Sequence, residues 1–308
     1  MDDYSTLQLP DGTQLAYEVL GSDHKPEGAS VPLVFVGGTT SCRRDASKVS
    51  SLLAKHRQVL VYDHRGMGDS KTRKDDPFTI ETLARDLLSL IQHLQWSEVA
   101  LCGHSMGGVV VQSLLFLPFH RTNPTPLRFH VTHVVLACTT FTPVLDPKYG
   151  LKFPRRPTGP LTRELIRELV RLTMLPNYDP EWFASEANQK RIEEIVDRGL
   201  IGRSPFKTIL QQKRAVSQYD FTGFHSRLSP DTQFMIIHGE LDQILPFSNV
   251  QGFLRLIPWA RVVPVGDAPG SVPTLRFGHD WVEYFDPQVW YGVFEVFLQA
   301  GCREKARL

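Results

Sequence analysis

Three residues far apart in the chain have the types that together cleave an acyl bond. Ser105 lies in Gly103-His104-Ser105-Met106-Gly107, Asp242 in the stretch HGELDQILP, and His279 in RFGHDW. A serine hydroxyl is a weak nucleophile near neutral pH. It attacks a carbonyl when a histidine takes its proton and a carboxylate orients and stabilises the imidazolium that results. The glycines around Ser105 have a steric purpose: a turn tight enough to lift a serine above a sheet strains its backbone, and a Cβ at either flanking position strikes the neighbouring strand or helix. A helix beginning at Met106 aims its N–H groups and positive dipole end at the place where an oxyanion forms. Taken alone, Gly-x-Ser-x-Gly also fits an ordinary polar turn, because glycine and serine are common in turns. Its meaning rests on the elements around it and on its partners.

Those elements are legible as short apolar runs bounded by turn residues and alternating with helix-period segments, the pattern of a parallel sheet with helices on its faces. TQLAYEVLG (13–21) reads as an antiparallel opening strand. VPLVFVGG (31–38), RQVLVYD (57–63), EVALCG (98–103) and VTHVVLACTT (131–140) read as buried strands, and TIETLARDLLSLIQHLQW as an amphipathic helix before the strand that leads to Ser105. From Phe141 to about Ser229 the rhythm breaks: no buried strand is evident, only helix-like segments in LTRELIRELVRLTML, PEWFASEANQKRIEEIVDRGL and SPFKTILQQKRAVSQY. The sheet pattern resumes with QFMIIHGE (233–240) and ARVVPVG (260–266), and a last helix runs from about Pro287 to Ala300. The expected division is a core of residues 1–140 and 230–308 with a helical cap inserted at 141–229.

On this layout Asp242 falls on the loop after a buried strand, where ligands bind in α/β sheets, and His279 on the loop after the last strand. The chain has 11 histidines, and this one alone follows the last strand in the required place. Asp267, in the long stretch GDAPGSVPTLRFG between the last strand and His279, is a rival for the acid. That stretch either borders the pocket and helps choose the substrate or is a surface ornament.

The order Ser105, Asp242, His279, with the helical insertion before the aspartate, resembles the α/β-hydrolase fold superfamily over nearly the whole chain. The stretch YDHRGMGDS (62–70) is similar to that family's Asp-x-Arg-Gly-x-Gly-x-Ser turn, a structural feature in which Gly66 and Gly68 take conformations other residues resist. The resemblance implies a mostly parallel twisted sheet flanked by helices and a serine nucleophile. Members that open epoxides or displace halide carry aspartate at the elbow, so the serine here points to acyl chemistry. The small capped esterases and lactonases, among them the 3-oxoadipate enol-lactonase type, are the most similar group. Relatives often carry His-Gly after the first parallel strand, whereas this chain has Gly37-Gly38-Thr39-Thr40. By position, the oxyanion donors are the main-chain N–H groups of Thr39 and Met106, so the missing histidine need not remove the hole. Gly38 and Thr40 beside that donor, and Phe141 and Trp182 in the cap, are the expected substrate contacts. Tyr149, Phe183, Tyr219, Phe221 and Phe224 are further aromatic residues that either roof an apolar pocket or pack the cap on the core. The expected substrate is a medium-sized, partly apolar ester, lactone or thioester. Carbon–carbon cleavage on the same triad and a slowly turning ligand-binding module stand as alternatives.

Composition sets the remaining bounds. Hydrophobic residues make up 42% and charged residues 22% of 308, enough for a sizeable core. With 34 Lys and Arg against 33 Asp and Glu, no global basic field exists to hold a nucleic acid, and the basic cluster KFPRRP (152–157) reads as a solvated loop. Cys42, Cys102, Cys138 and Cys302 are scattered without a Cys-x-x-Cys pair, as expected of reduced, packed thiols in an intracellular protein, and no His or Cys cluster suggests zinc. No metal or organic cofactor is expected. The opening residues lack a secretory pattern, and no apolar run approaches the roughly 20 residues that span a bilayer. The terminal Ala306-Arg307-Leu308 has the small, basic, leucine form of a Ser-Lys-Leu peroxisomal address, which would make an import receptor a partner; otherwise a cytoplasmic location is expected.

Overall fold

A computed structural model describes residues 4–23, 30–45, 48–72, 77–154, 159–160, 162–201 and 205–299. The terminal tripeptide 306–308, Cys302 and part of the basic cluster (155–157) therefore lie outside the described residues.

The apolar runs form β2 (Gln14–Leu20), β3 (Leu33–Val36), β4 (Val59–Tyr62), β5 (Glu98–His104), β6 (His130–Ala137), β7 (Gln233–Ile237) and a two-residue β8 (Arg261–Val262), preceded by a short β1 (Ser5–Gln8) that the sequence reading did not anticipate. They make one eight-stranded sheet in the order β1-β2-β4-β3-β5-β6-β7-β8. β1, β2 and β4 pair antiparallel, and every later neighbour pairs parallel. The brevity of β8 has a local cause. Pro264 has no N–H to donate to a ladder, so pairing with β7 ends one residue before it, at the Val263 N–H, and only a bridge between Val265 and Val272 follows.

Helices cover both faces because each strand from β3 to β7 is buried on both sides. On one face α2 (Ile80–His93), α3 (Met106–Phe116) and α8 (Asn249–Leu256) pack a core that includes Leu87, Leu114, Leu101 and Phe253. On the other, α1 (Lys48–Leu53) and α9 (Pro287–Gln299) enclose Leu53, Cys102, Trp290 and Phe294. α2 is amphipathic, with Leu83, Leu87, Leu90 and Ile91 inward, and starts on a capping box in which Thr79 and Thr82 satisfy each other's backbone N–H groups.

Between β6 and β7 the chain builds α4 (Arg163–Met174), α5 (Pro180–Ala184), α6 (Glu186–Ile201) and α7 (Phe206–Ala215), none of which contributes a strand. The segment expected to be one helix from Pro180 is divided. Asp179 caps α5 by accepting from the N–H groups of Glu181 and Trp182, and Ser185 breaks the chain before α6. Tyr178, Phe183, Ile192 and Val196 give these helices a small core of their own. No helix among the described residues is long and apolar enough to cross a membrane.

Candidate active site

Parallel pairing brings the C-terminal ends of β3, β5 and β7 to one edge of the sheet, which gathers segments distant in sequence. Ser105 leaves β5 with φ 54° and ψ −122°, a region costing about 1–3 kcal/mol for a residue with a side chain. Packing enforces that turn: a Cβ on Gly107 would stand 2.0 Å from the Val36 carbonyl oxygen, and one on Gly103 2.5 Å from the Cα of Gly108. The Ser105 N–H donates to the Ala137 carbonyl at 3.0 Å, and the Thr139 hydroxyl to the Ser105 carbonyl at 2.7 Å, so both sides of the turn are fixed by the neighbouring strand.

Asp242 follows β7 in a turn whose backbone turns inward to meet it. One carboxylate oxygen accepts from the N–H groups of Ile244 and Leu245 at 2.8 and 2.9 Å, and the other accepts from His279 Nδ1 at 2.8 Å. His238 Nε2 approaches that second oxygen at 3.3 Å. Burial by itself raises the carboxyl's pKa, but the facing His279 and His238 outweigh it and hold Asp242 well below the usual carboxylate range. An ionised carboxylate can only accept, so His279 Nδ1 is the donor in this bond. Asp242 and His279 retain only 6% and 3% of their accessible surface. His104 is the companion on the other side: its ring stands 4.9 Å from that of His279, its Nε2 donates to the His279 carbonyl at 3.0 Å, and burial followed by the nearby His279 pushes its pKa down to about 3.

Ser105, His279, Gly38, Thr39 and Thr40 all line one cavity of about 720 Å³. Gly38 comes so close that a Cβ on it would stand 3.0 Å from the Ser105 Cβ. Met106 opens α3, and neither its N–H nor that of Thr39 has an acceptor among the described residues. Thr40 has φ 72°, and its N–H donates to Gln212 Oε1 on α7 at 3.1 Å. The turn at Asp63 secures the same loop from below. The Asp63 carboxylate accepts from the Arg43 backbone N–H at 2.6 Å and from its guanidinium at 2.8 Å, while His64 Nε2 donates to the Gly37 carbonyl at 3.0 Å. Neither Gln212 nor Arg43 carried a sequence signal, since each acts through a partner many residues away.

The cap contacts differ from expectation. Phe141 stands apart from the cavity, its ring packed edge-on against Phe253 of α8 at 5.3 Å, and Trp182 is also outside it, stacked on Tyr178 at 4.4 Å. Tyr219, Phe221 and Phe224 are likewise excluded, because Phe221 and Phe224 close on Phe116 of α3 and Tyr219 packs on Phe221. The roof is mostly aliphatic instead: the helical stripe Ile166, Leu169, Val170 and Met174 of α4 faces the cavity with Ile195 of α6 and Tyr178. Arg198 of α6 adds a cation to this wall, with its Nε buried. The long stretch before His279 turns away as well. Residues 266–278 do not line the cavity; Gly270 abuts Val296 of α9, and Asp267 is exposed, far from the role of a buried acid. Cys42, Cys102 and Cys138 are free and buried.

Residues 31–163 match the family model described as alpha/beta hydrolase fold. A putative carbamate hydrolase, RutD, of Pseudomonas savastanoi pv. phaseolicola is 24% identical over 271 residues, covering 86% of this chain and 98% of that one. A 3-oxoadipate enol-lactonase of Acinetobacter baylyi is 43% identical over 56 residues, 18% of this chain and 21% of that one. Among solved structures, the enol-lactonase of Burkholderia xenovorans LB400 superposes with a TM-score of 0.69 at 19% identity over 96% of this chain and 100% of that one. An esterase of Exiguobacterium antarcticum gives 0.69 at 18% identity, over 96% and 99%.

Proposed function

We propose that this chain, whose fold and residues 31–163 match the alpha/beta hydrolase fold, is an enzyme of that superfamily and a serine hydrolase of carboxylic esters, lactones or thioesters. The observation that carries this reading is the buried hydrogen-bonded pair of His279 and Asp242 opening into the same cavity as a serine held in a strained strand-to-helix turn. In the first half-reaction Ser105 Oγ attacks the acyl carbon, and its proton passes to His279 Nε2. The carbonyl oxygen, now an oxyanion, receives the Thr39 and Met106 N–H groups at the positive end of α3; each such donor contributes about 3 kcal/mol in the transition state. His279 then gives the proton to the departing alcohol or thiol, leaving an acyl-enzyme. Water repeats the sequence: His279 takes its proton as the oxygen adds to the acyl carbon, then returns that proton to Ser105 Oγ as the acyl–oxygen bond breaks, and the acid leaves. Asp242 stays ionised throughout and stabilises the imidazolium.

A cavity of about 720 Å³ roofed by Ile166, Leu169, Val170 and Met174 suits a medium-sized, partly apolar acyl group. The names of the relatives, a putative carbamate hydrolase and enol-lactonases, support acyl substrates as a class. Labelling with a fluorophosphonate probe tests the reading. The native protein takes up the probe and Ser105→Ala does not; an unlabelled native protein overturns the proposal. Aryl esters of increasing acyl length beside several lactones and acyl thioesters then rank the substrate classes.

A further inference from the structure

The corner of the cap between α4 and α5 grips both loops of the triad, one residue from each functional side chain. The Tyr178 hydroxyl donates to Asp280 Oδ2 at 2.7 Å, and the Asp280 N–H donates to the Asn177 carbonyl at 3.1 Å, so the residue after His279 is held twice. Gln243, the residue after Asp242, donates its side-chain amide to the Tyr178 carbonyl at 3.2 Å. Gly278, the residue before His279, is pressed so closely that a Cβ there would meet the Asn177 carbonyl oxygen at 2.7 Å. Tyr178 itself is buried to 1% exposure, its ring stacked on Trp182.

His279 sits in a stretch with no helix or strand of its own, between the bridge at Val272 and the short helical turn Trp281–Glu283. A functional side chain must be held within about 0.5 Å of its working position, and a loop supplies little of that restraint itself. Here the core restrains the loop through His104 and Asp242, and the cap adds to that restraint. We propose that Tyr178 is a positioning residue: through Asp280 and Gln243 it fixes His279 and Asp242 relative to one another, so that the seating of the cap sets the register of the triad.

Simple attachment of the cap does not account for this contact. Arg191 of α6 already ties the cap to the same loop by a two-pronged pair with Glu283 at 2.6 and 2.8 Å, nearer the surface. The Tyr178 hydroxyl bond adds instead a buried, directional restraint on the residue adjoining the base.

The inference rests on the serine-hydrolase reading, and its test separates the two. With an ester substrate, Tyr178→Phe, which keeps the ring and loses the hydroxyl, lowers kcat about ten- to a hundredfold with KM held within about twofold, the pattern of a displaced catalytic group. Asp280→Ala does the same, the double variant is no slower than the slower single one, and Asp280→Asn, which keeps an oxygen acceptor, recovers most of the loss. Arg191→Gln leaves kcat within about twofold. The proposal is overturned if Tyr178→Phe keeps native kcat, if its loss falls in KM, if the Tyr178 and Asp280 losses multiply, or if Arg191→Gln costs as much. Thermal melting establishes that each variant is folded; should Tyr178→Phe not fold, the contrast between Asp280→Ala and Asp280→Asn decides. Absence of fluorophosphonate labelling on the native protein would instead sink the underlying activity.

Discussion

Gly107→Ala puts the smallest possible wedge between Ser105, the proposed nucleophile, and the proposed oxyanion loop after β3. The added Cβ would stand 2.0 Å from the Val36 carbonyl oxygen, 2.6 Å from its carbon and 2.7 Å from the Gly37 carbonyl oxygen. All three are backbone atoms of β3 and the loop after it, so no side chain can swing aside. Real Cβ contacts essentially never fall below 3.0 Å, so the start of α3 must separate from β3 by about 1 Å. Such a shift moves Ser105 and the Met106 N–H, which ride on α3, away from Thr39, which rides on β3. A misplacement of about 1 Å costs on the order of a hundredfold in rate, and overpacking of this kind costs about 1–3 kcal/mol in stability. The assay is the second-order rate of inactivation by a fluorophosphonate, which needs serine, base and donors in register but no knowledge of the natural substrate, read beside a thermal melt. Gly159→Ala, where an added Cβ meets nothing within 4 Å, is the control and keeps the native rate. A Gly107→Ala protein that is folded and reacts within about threefold of native would refute the claim that this helix–strand contact holds the site together.

Two further outcomes follow from the buried histidines and carboxylate. Asp242→Asn replaces an acceptor of the His279 Nδ1 proton with a group whose amide favours the wrong tautomer, so kcat falls by about 10⁴ with little change in KM; a loss under tenfold would return the role of acid to another carboxylate. Burial pushes His104 to about 3 and His133 and His225 to about 4, all below the ordinary 6.5, so these rings stay neutral in the folded chain while the unfolded chain takes up protons. Their contribution to stability is complete above about pH 6.5 and is lost as pH falls toward 4. Urea midpoints measured across that window decline with falling pH, and His225→Gln, which can still donate to the Gln112 side-chain oxygen Oε1, makes the decline shallower by about one proton; an unchanged slope would contradict the burial argument.

The strands, and the three residues we propose as a triad, were legible because each depends on local pattern. β3 to β7 are apolar runs long enough to cross a sheet buried on both faces, and Gly103, Gly107 and the chain order of serine, aspartate and histidine sit at the ends of such runs. The part of the lining that the cap supplies was not legible, for a different reason. An aromatic residue is equally suited to a pocket wall and to a packing contact, and which it becomes depends on what the fold sets opposite it. Phe221 and Phe224 meet Phe116, Phe141 meets Phe253, and the roof falls to the aliphatic stripe of α4.

What the sequence by itself determined is therefore the class of fold and the chemistry available at three positions, since periodicity and residue type are properties of neighbours along the chain. What only the tertiary structure decided is which groups hold those positions in place. Gln212 meets Thr40, Asp63 meets Arg43 and Tyr178 meets Asp280 across 172, 20 and 102 residues. A hydrogen bond is short and directional, and no pattern along the chain encodes a partner that folding alone brings within 3 Å or so.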